Sequence, residues 1–333
     1  MLIFAPQATR ELGAAIARAL GVERAPLEER EFEDGEHKAR PLTSVRGRDV
    51  YLVQSLHGGP EASPNDKLCR LLFVAGAVRD AGAGRVTAVI PYLAYARKDR
   101  RTQLRDPITM RYVAQLIEAV GIARVVVVDV HNLAAFENAF RCPTIHLEAR
   151  PLFVAHLLPL LREREVVVVS PDAGGVKRAE LLREALSREL ESNVALAFLE
   201  KRRSGGVLSG EDAVAGSVEG RAAVIVDDLV STGTTLARAA AACRTRGAAA
   251  VHAVVTHGLF TGEAERTVTG AEFERLVVTN TVPPFRLQPP TVEARLTMLD
   301  VAPLLAEAIR RLHREEPLEG LGRFGLPQDR SSV

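Results

Sequence analysis

The alternation of short apolar runs with longer amphipathic stretches, sustained along most of the 333 residues, limits the possible folds more than any other feature. Runs such as VYLVQ at 50–54 and VTAVIPY at 86–92 have the length of buried strands, and 64–82 has helical spacing. Strands that alternate with helices form mainly parallel sheets flanked by helices. The sequence therefore predicts the α/β fold class.

The second half of the chain repeats the layout of the first, and the chain length favours two domains. In this half EVVVVSPD at 165–172, AAVIVDD at 222–228 and AVHAVVTH at 250–257 have the pattern of strands. The predicted organisation is a domain at 1–150 joined by a C-terminal helix at 301–315, a domain at 151–300, and a tail at 316–333.

Composition and charge narrow the class of protein. The hydrophobic content of 47% and charged content of 26% are typical of a soluble globular protein. A net charge of +1 gives no general attraction to nucleic acid or anionic membranes. No apolar run reaches the roughly 18 residues of a membrane span, and no secretory signal opens the chain. We expect a cytoplasmic protein without nucleic-acid or membrane partners, whose Cys69, Cys142 and Cys243 are buried thiols.

The stretch VIVDDLVSTGTT at 224–235 is the clearest indication of a ligand site. Asp227 and Asp228 end a predicted buried strand, and a small hydroxylated loop at 231–235 leads into a predicted helix. A loop at a helix start offers N–H groups to a phosphate, whereas carboxylates accept hydrogen bonds or hold cations. A simple helix cap needs fewer of these residues. The pattern predicts a phosphate-binding loop beside a pair of acidic acceptors.

This motif resembles the 5-phosphoribosyl 1-diphosphate binding motif of type I phosphoribosyltransferases and of ribose-phosphate pyrophosphokinases. Further segments resemble the pyrophosphokinase family, in the order of that family: FEDGE at 32–36, PYLAYARKDR at 91–100, VDVH at 128–131, SPDAGGVKRAELL at 170–182, LEKRRSGG at 199–206 and LLAEAIRRLH at 304–313. The resemblance covers about residues 1–318. It implies two similar type I phosphoribosyltransferase-like domains, each a mainly parallel sheet flanked by helices.

The resemblance implies a ribose-phosphate diphosphokinase. Such an enzyme transfers the β,γ-diphosphoryl group of Mg-ATP to the 1-hydroxyl of ribose 5-phosphate, giving AMP and 5-phosphoribosyl 1-diphosphate for nucleotide, histidine and tryptophan synthesis. The implied ligands are ATP, ribose 5-phosphate and Mg²⁺, and the implied assembly is a homo-oligomer, either dimer or hexamer. This chemistry asks the protein mainly to align the reactants and to neutralise charge.

The resemblance also assigns candidate roles to individual residues. The catalytic basic pair would be Lys201 and Arg203, in a loop that closes over the phosphates. Ribose 5-phosphate would bind to Asp227, Asp228, Ser231, Thr232, Gly233, Thr234 and Thr235. ATP would bind to Phe32, Asp34, Gly35 and Glu36, supplied by a neighbouring subunit, and to Arg97 and Lys98. Mg²⁺ would be held by His131 and Asp172, a small set that suits an ion carried on phosphates.

Several positions depart from the usual pattern of the family. Ser231 replaces a common aspartate and Lys98 a common glutamine, and both changes favour polyphosphate binding. Ala134, Ala135 and Glu137 stand where bacterial members carry residues tied to phosphate activation and ADP inhibition. We therefore expect altered regulation by phosphate and ADP.

Two alternatives remain open from the sequence. A type I phosphoribosyltransferase would share the loop at 231–235 but would leave 32–36 and 201–206 unexplained. A catalytically silent regulatory homologue would keep the fold and lose the basic pair, and both Lys201 and Arg203 are present.

Overall fold

The structure, a computed structural model, describes residues 1–200, 203–204, 207–208 and 213–321. It divides into two compact units, Met1–Glu148 with Asp300–Leu321, and a second unit that begins at Ala149 and runs to Leu299. Each unit contains a sheet of mainly parallel strands with helices around it, which confirms the predicted α/β class. In the part of the chain covered by these ranges, no helix is both long and apolar enough to span a bilayer.

The first unit is built on a parallel sheet. Its strands are β1 (Leu2–Phe4), β2 (Leu27–Glu31), β3 (His37–Pro41), β4 (Asp49–Val53), β5 (Arg85–Ile90), β6 (Arg124–Val128) and β7 (Thr144–Leu147). Five of them form the sheet in the order β1-β4-β5-β6-β7. Strands β2 and β3 form a separate antiparallel hairpin, which the sequence analysis did not predict because its residues are mostly charged and lack an apolar run.

Four helices follow the strands of this unit: α1 (Arg10–Ala19), α2 (Pro64–Asp80), α3 (Thr109–Ala119) and α4 (Leu133–Ala139). Helix α2 begins at a capping box, in which Ser63 and Asp66 exchange side-chain and backbone hydrogen bonds. Its residues Leu71 and Val74 are buried in the core. Cys69 lies on the opposite face of α2 and is exposed, so the prediction of three buried thiols was wrong for this residue, and Cys142 is only partly buried.

The second unit contains a seven-stranded sheet. Its elements are α5 (Arg150–Leu161), β8 (Val166–Ser170), α6 (Val176–Leu190), β9 (Ala195–Glu200), β10 (Arg203–Ser204), β11 (Val207–Leu208), β12 (Ala213–Ala215), β13 (Ala222–Val230), α7 (Thr234–Thr245), β14 (Ala250–Gly258), α8 (Ala264–Gly270), β15 (Leu276–Thr279), α9 (Pro289–Arg295) and β16 (Leu296–Leu299). The strands of this sheet lie in the order β12-β9-β8-β13-β14-β15-β16, and among its described strands only the edge strand β12 is antiparallel to its neighbour. Strands β10 and β11 form a separate antiparallel pair.

Helix α10 (Ala302–Arg314) returns to the first unit and packs against α1. The apolar residues Val301, Leu304, Leu305 and Ile309 are buried. Near the end of the helix the His313 Nδ1 atom lies 2.8 Å from Asp49 Oδ2 at the start of β4. This polar contact fixes the last turn of the helix to the sheet.

Candidate active site

Strand β13 carries the acidic pair to the centre of the second sheet. Residues 222–226 of this strand are buried between β8 and β14, and Asp227 and Asp228 follow at its carboxyl end. Asp228 is buried, and its backbone N–H donates to Asp227 Oδ1 at 2.9 Å. Ligands of open α/β sheets bind outside the carboxyl ends of the strands. The predicted acidic pair therefore lies where such a sheet binds its ligand.

Arg178, on the first turns of α6, bridges the two carboxylates. Its Nη1 atom lies 3.4 Å from Asp227 Oδ1, and its Nη2 atom lies 3.4 Å from Asp228 Oδ1. Burial and then the Asp228 carboxylate raise the pKa of Asp227 to about 7, while Arg178 opposes this shift. A ligand that donates hydrogen bonds to these two carboxylates would therefore stabilise their charged forms. The sequence analysis included Arg178 in the segment 170–182 but predicted no role for it.

The loop at 231–235 turns directly from β13 into α7. Gly233 stands at the N-cap position with φ +79°, a left-handed conformation that favours glycine, and α7 begins at Thr234. A Cβ atom at position 233 would lie 3.2 Å from Thr267 Cγ2. The hydroxyls of Thr232 and Thr234 are 3.1 Å apart, in hydrogen-bond contact. The loop thus gathers hydroxyls beside the positive end of a 12-residue helix.

Asp172 follows β8, the sheet neighbour of β13. Its Oδ1 atom accepts hydrogen bonds from the N–H groups of Gly174 and Gly175, at 2.9 and 3.1 Å. Ser170 donates its hydroxyl to the Asp172 carbonyl oxygen at 2.6 Å. Three predicted residues, Asp172, Asp227 and Asp228, therefore lie at the carboxyl ends of two adjacent parallel strands.

The four predicted adenine-contact residues form the turn between β2 and β3. Phe32 N–H donates to the Glu36 carbonyl at 2.8 Å, Gly35 N–H donates back to the Phe32 carbonyl at 2.9 Å, and Asp34 Oδ1 accepts from Glu36 N–H at 3.1 Å. The Phe32 side chain is 39% exposed, and the Arg30 guanidinium lies 4.8 Å from its ring centroid. The turn therefore presents an aromatic face to its surroundings.

Two further predicted groups lie beyond β5 and β6 of the first sheet. Arg97 and Lys98 follow β5, where Lys98 N–H donates to the Tyr95 carbonyl at 2.9 Å. His131 follows β6 and is exposed. The Asn132 side chain donates to Asp99 Oδ2 at 2.7 Å and so joins the two loops. The structure brings Arg97, Lys98 and His131 to the same edge of this sheet.

The predicted catalytic pair falls in the segment that the structure describes only in part. Lys201 lies outside the described residues. Arg203 belongs to the short strand β10, which pairs with β11 through the register Arg203 to Leu208. The catalytic assignment of both residues stays a prediction.

Two family models and two named relatives agree on one family. A family model for the N-terminal domain of ribose phosphate pyrophosphokinase matches residues 1–121, and a model for the phosphoribosyl synthetase-associated domain matches 210–323. The ribose-phosphate pyrophosphokinase of Gloeobacter violaceus is 38% identical over 325 residues, covering 96% of this chain and 92% of that relative. The one from Clostridium perfringens is 37% identical over 322 residues, covering 96% of both. The chain belongs to the ribose-phosphate pyrophosphokinase family.

A solved structure supports the same membership. Phosphoribosylpyrophosphate synthetase from Mycobacterium smegmatis superposes with a TM-score of 0.84 at 34% identity, over 94% of this chain and 99% of that one. The similarity therefore covers most of the chain and extends well beyond the loop at 231–235. The chain is an enzyme of this pyrophosphokinase family, and its class of activity is that of a transferase in nucleotide biosynthesis.

The residues predicted to hold Mg²⁺ in this pyrophosphokinase are Asp172 and His131. Within the described ranges, no cluster of three or more His, Cys, Asp or Glu side chains is placed to hold a metal ion. Mg²⁺ keeps several waters and takes only one or two protein ligands beside phosphate oxygens. The partly exposed Asp172 carboxylate is a suitable ligand, and the His131 imidazole is a weaker one for this hard ion.

Proposed function

We propose that this enzyme transfers the β,γ-diphosphoryl group of Mg-ATP to the 1-hydroxyl of ribose 5-phosphate. The products are AMP and 5-phosphoribosyl 1-diphosphate, for nucleotide, histidine and tryptophan synthesis. The observation that carries the proposal is the placement of the Asp227–Asp228 pair directly before the glycine-turned loop that starts α7. Family membership supports the same reaction.

The second unit supplies the groups for the phosphorylated sugar. The loop Ser231–Thr235 would hold the 5-phosphate with its backbone N–H groups, its hydroxyls and the positive end of α7. Asp227 and Asp228 would accept hydrogen bonds from the 2- and 3-hydroxyls of the ribose. Strand β13 and the loop after it would thus supply groups complementary to both the 5-phosphate and the ribose hydroxyls.

The first unit supplies the groups for the nucleotide. Phe32 would stack on adenine, and Asp34 and Glu36 would accept hydrogen bonds from its amine or from the ribose. Arg97 and Lys98 would contact the phosphates. We propose that the hairpin turn serves the ATP site of a neighbouring copy, in a cytoplasmic homo-oligomer that is a dimer or hexamer; the exposure of Phe32 supports such a contact.

Asp172 and His131 would hold Mg²⁺ together with the phosphate oxygens of ATP. When bound, the ion would neutralise charge on the phosphates and orient them. Lys201 and Arg203 would stabilise the charge that builds on the transferred group, an interaction strongest in the transition state. The remaining task of the protein is to keep the ribose 1-hydroxyl in line with the leaving AMP.

The first test follows the phosphorus NMR signals of purified enzyme mixed with Mg²⁺, ATP and ribose 5-phosphate. We expect AMP to appear together with a diphosphate ester on ribose C1. Formation of ADP would instead show transfer of a single phosphate and would overturn the proposal. No turnover, with ribose 5-phosphate still bound, would favour the silent homologue.

The catalytic assignment is tested with Lys201→Ala. We expect kcat to fall by about 100-fold or more, with a modest change in substrate binding, because the lysine charge is needed most in the transition state. Lys177→Ala, an exposed position on α6, is the matched control and should keep normal turnover. Equal losses in binding and turnover would contradict this role of Lys201.

Regulation by phosphate and ADP is proposed to differ from that of bacterial relatives. Ala134 and Glu137 are exposed on the short helix α4, which Asn132 caps by accepting from Ala135 N–H at 3.2 Å. An alanine methyl group cannot replace the hydroxyl or amide hydrogen bonds expected there. We expect little activation by phosphate and weak allosteric inhibition by ADP in initial-rate assays, and a normal response to both would refute the proposal.

A further inference from the structure

A short segment after β14 lies against the phosphate loop. We call residues 258–262 (GLFTG) the brace. Phe260 within it has φ +47° although its side chain is bulky and only 2% exposed. A large residue in the left-handed region is an outlier that persists only where its surroundings enforce it. The brace is therefore held in one conformation by its packing.

The brace is hydrogen-bonded to the last residue of β13 and to the first residue of the loop. The Leu259 N–H donates to the Val230 carbonyl, and the Thr261 N–H donates to the Ser231 carbonyl, each at 2.9 Å. The Thr261 Oγ1 and Ser231 Oγ atoms are 2.6 Å apart and share a hydrogen bond. Both the backbone and the hydroxyl of Ser231 are thus fixed by one residue outside the loop.

Other contacts hold the brace from its far side and extend along the loop. The Arg286 Nη1 atom donates to the Leu259 carbonyl at 2.8 Å. A Cβ atom on Gly262 would lie 3.7 Å from Thr232 Cγ2, so the brace also passes close to the second loop residue. These contacts make the brace a rigid support, since it is anchored on both sides.

We infer that Thr261 is a positioning residue for ribose 5-phosphate, because it fixes the side chain and backbone of Ser231 before the sugar phosphate arrives. The inference rests on the proposed function and extends it to a residue outside the binding loop. A hydroxyl has one hydrogen to donate, so the pairing with Thr261 restricts how Ser231 can face a phosphate. A site ordered in advance avoids the entropy cost of ordering on binding.

The test compares Thr261→Val, which removes the hydroxyl at nearly constant shape, with Thr261→Ser, which keeps it. We expect Thr261→Val to raise KM for ribose 5-phosphate about three- to ten-fold, the effect of one lost hydrogen bond, with kcat within about two-fold. Thr261→Ser should stay within about two-fold of the wild type in both parameters. Thr269→Val, which removes an exposed hydroxyl bonded to the Glu265 carbonyl on α8, is the matched control and should change neither parameter.

A double-mutant cycle shows whether Thr261 acts through Ser231. In a Ser231→Ala background, Thr261→Val should add little further increase in KM, since its partner is already absent. Additive effects of the two changes would overturn the inference. Equal KM increases in Thr261→Val and Thr261→Ser would overturn it as well, because the hydroxyl would then not matter.

Two further measurements separate this inference from the proposed function. Calorimetry of the wild-type enzyme with ribose 5-phosphate tests binding itself, and a lack of binding would overturn the proposed function together with the sugar role of Thr261. Wild-type binding matched by the Thr261→Val variant would overturn the role of Thr261 alone. Amide hydrogen exchange at 231–235 without ligand should be about ten-fold faster in Thr261→Val than in Thr269→Val, and equal exchange would reject the brace.

Discussion

The loop at 231–235 and the hairpin turn at 32–36 both contain a glycine in the left-handed region, but their surroundings differ. Gly233 has φ +79° and Gly35 has φ +86°. A Cβ atom on Gly233 would lie 3.2 Å from Thr267 Cγ2, whereas a Cβ atom on Gly35 would meet no described atom within 4 Å. The loop is shaped by tertiary packing, and the turn by its own hydrogen bonds. The two regions therefore differ in how each could bind a ligand.

A packed loop provides a preformed binding site, because the loop is already ordered in the folded protein and binding does not carry that entropy cost. An exposed turn can instead contact a second molecular surface, since Phe32 is 39% exposed. We therefore expect substitutions in the loop to weaken substrate binding and stability together. Substitutions in the turn should change ATP use with little effect on stability.

The largest contrast is expected between Gly233→Ala and Gly35→Ala. Both impose a left-handed alanine, which costs about 1 kcal/mol of folding stability. Gly233→Ala adds a steric conflict with Thr267 on α8, so we expect a total loss of about 2 to 3 kcal/mol and about a ten-fold higher KM for ribose 5-phosphate. Urea unfolding and initial rates measure both, and equal stability losses in the two variants would break the comparison.

The next largest effect is expected from Arg178→Gln. Removing the guanidinium leaves the Asp227 and Asp228 carboxylates close together without their cation, which should weaken ribose 5-phosphate binding about ten-fold. Arg178→Lys should recover part of this loss because it keeps the charge. Arg183→Gln on the same helix, where Arg183 lies 3.8 Å from the more exposed Glu184, is the control. Calorimetry that finds unchanged affinity in Arg178→Gln would show that the bridge has no part in binding.

A smaller effect is expected from pH through Asp227. Its pKa is raised to about 7 by burial and by Asp228, so between its ordinary pKa and this value the folded state binds a proton that the unfolded state has lost. The free energy of unfolding of the ligand-free enzyme should therefore fall as pH rises from 5 to 8. Asp227→Asn should remove this part of the slope. Parallel stability curves for the two proteins would contradict the raised pKa.

The smallest effect on stability is expected from Phe32→Ala in the hairpin turn. A matched control exists in the second unit, where Phe285 is 37% exposed and the Arg286 guanidinium lies 4.5 Å from its ring. Each alanine variant should lose only about 0.5 kcal/mol of stability. Phe32→Ala should also raise KM for ATP about three- to five-fold through lost base stacking, and Phe285→Ala should not. Equal KM values for ATP would reject the adenine role of Phe32.

Sequence reasoning predicted much of the fold and the loop that leads from β13 into α7. The buried strands β4, β5, β8, β13 and β14 were predicted because an apolar run reports burial on both faces of a sheet. The hairpin strands β2 and β3 were missed because they are mostly charged and lack such a run. The loop at 231–235 was found because its residue types and its position between strand and helix are contiguous in the chain.

The sequence by itself determined the α/β class, the family and the position of the loop at 231–235 between a strand and a helix, because periodicity and motifs depend on neighbours along the chain. Only the tertiary structure decided that Arg178 bridges the acids 49 residues away and that Thr261 pairs with Ser231 across 30 residues. Contacts of this kind depend on which strands become neighbours and how their ends are packed. The spacing of residues along a single strand or helix does not determine which strands become neighbours or how their ends pack.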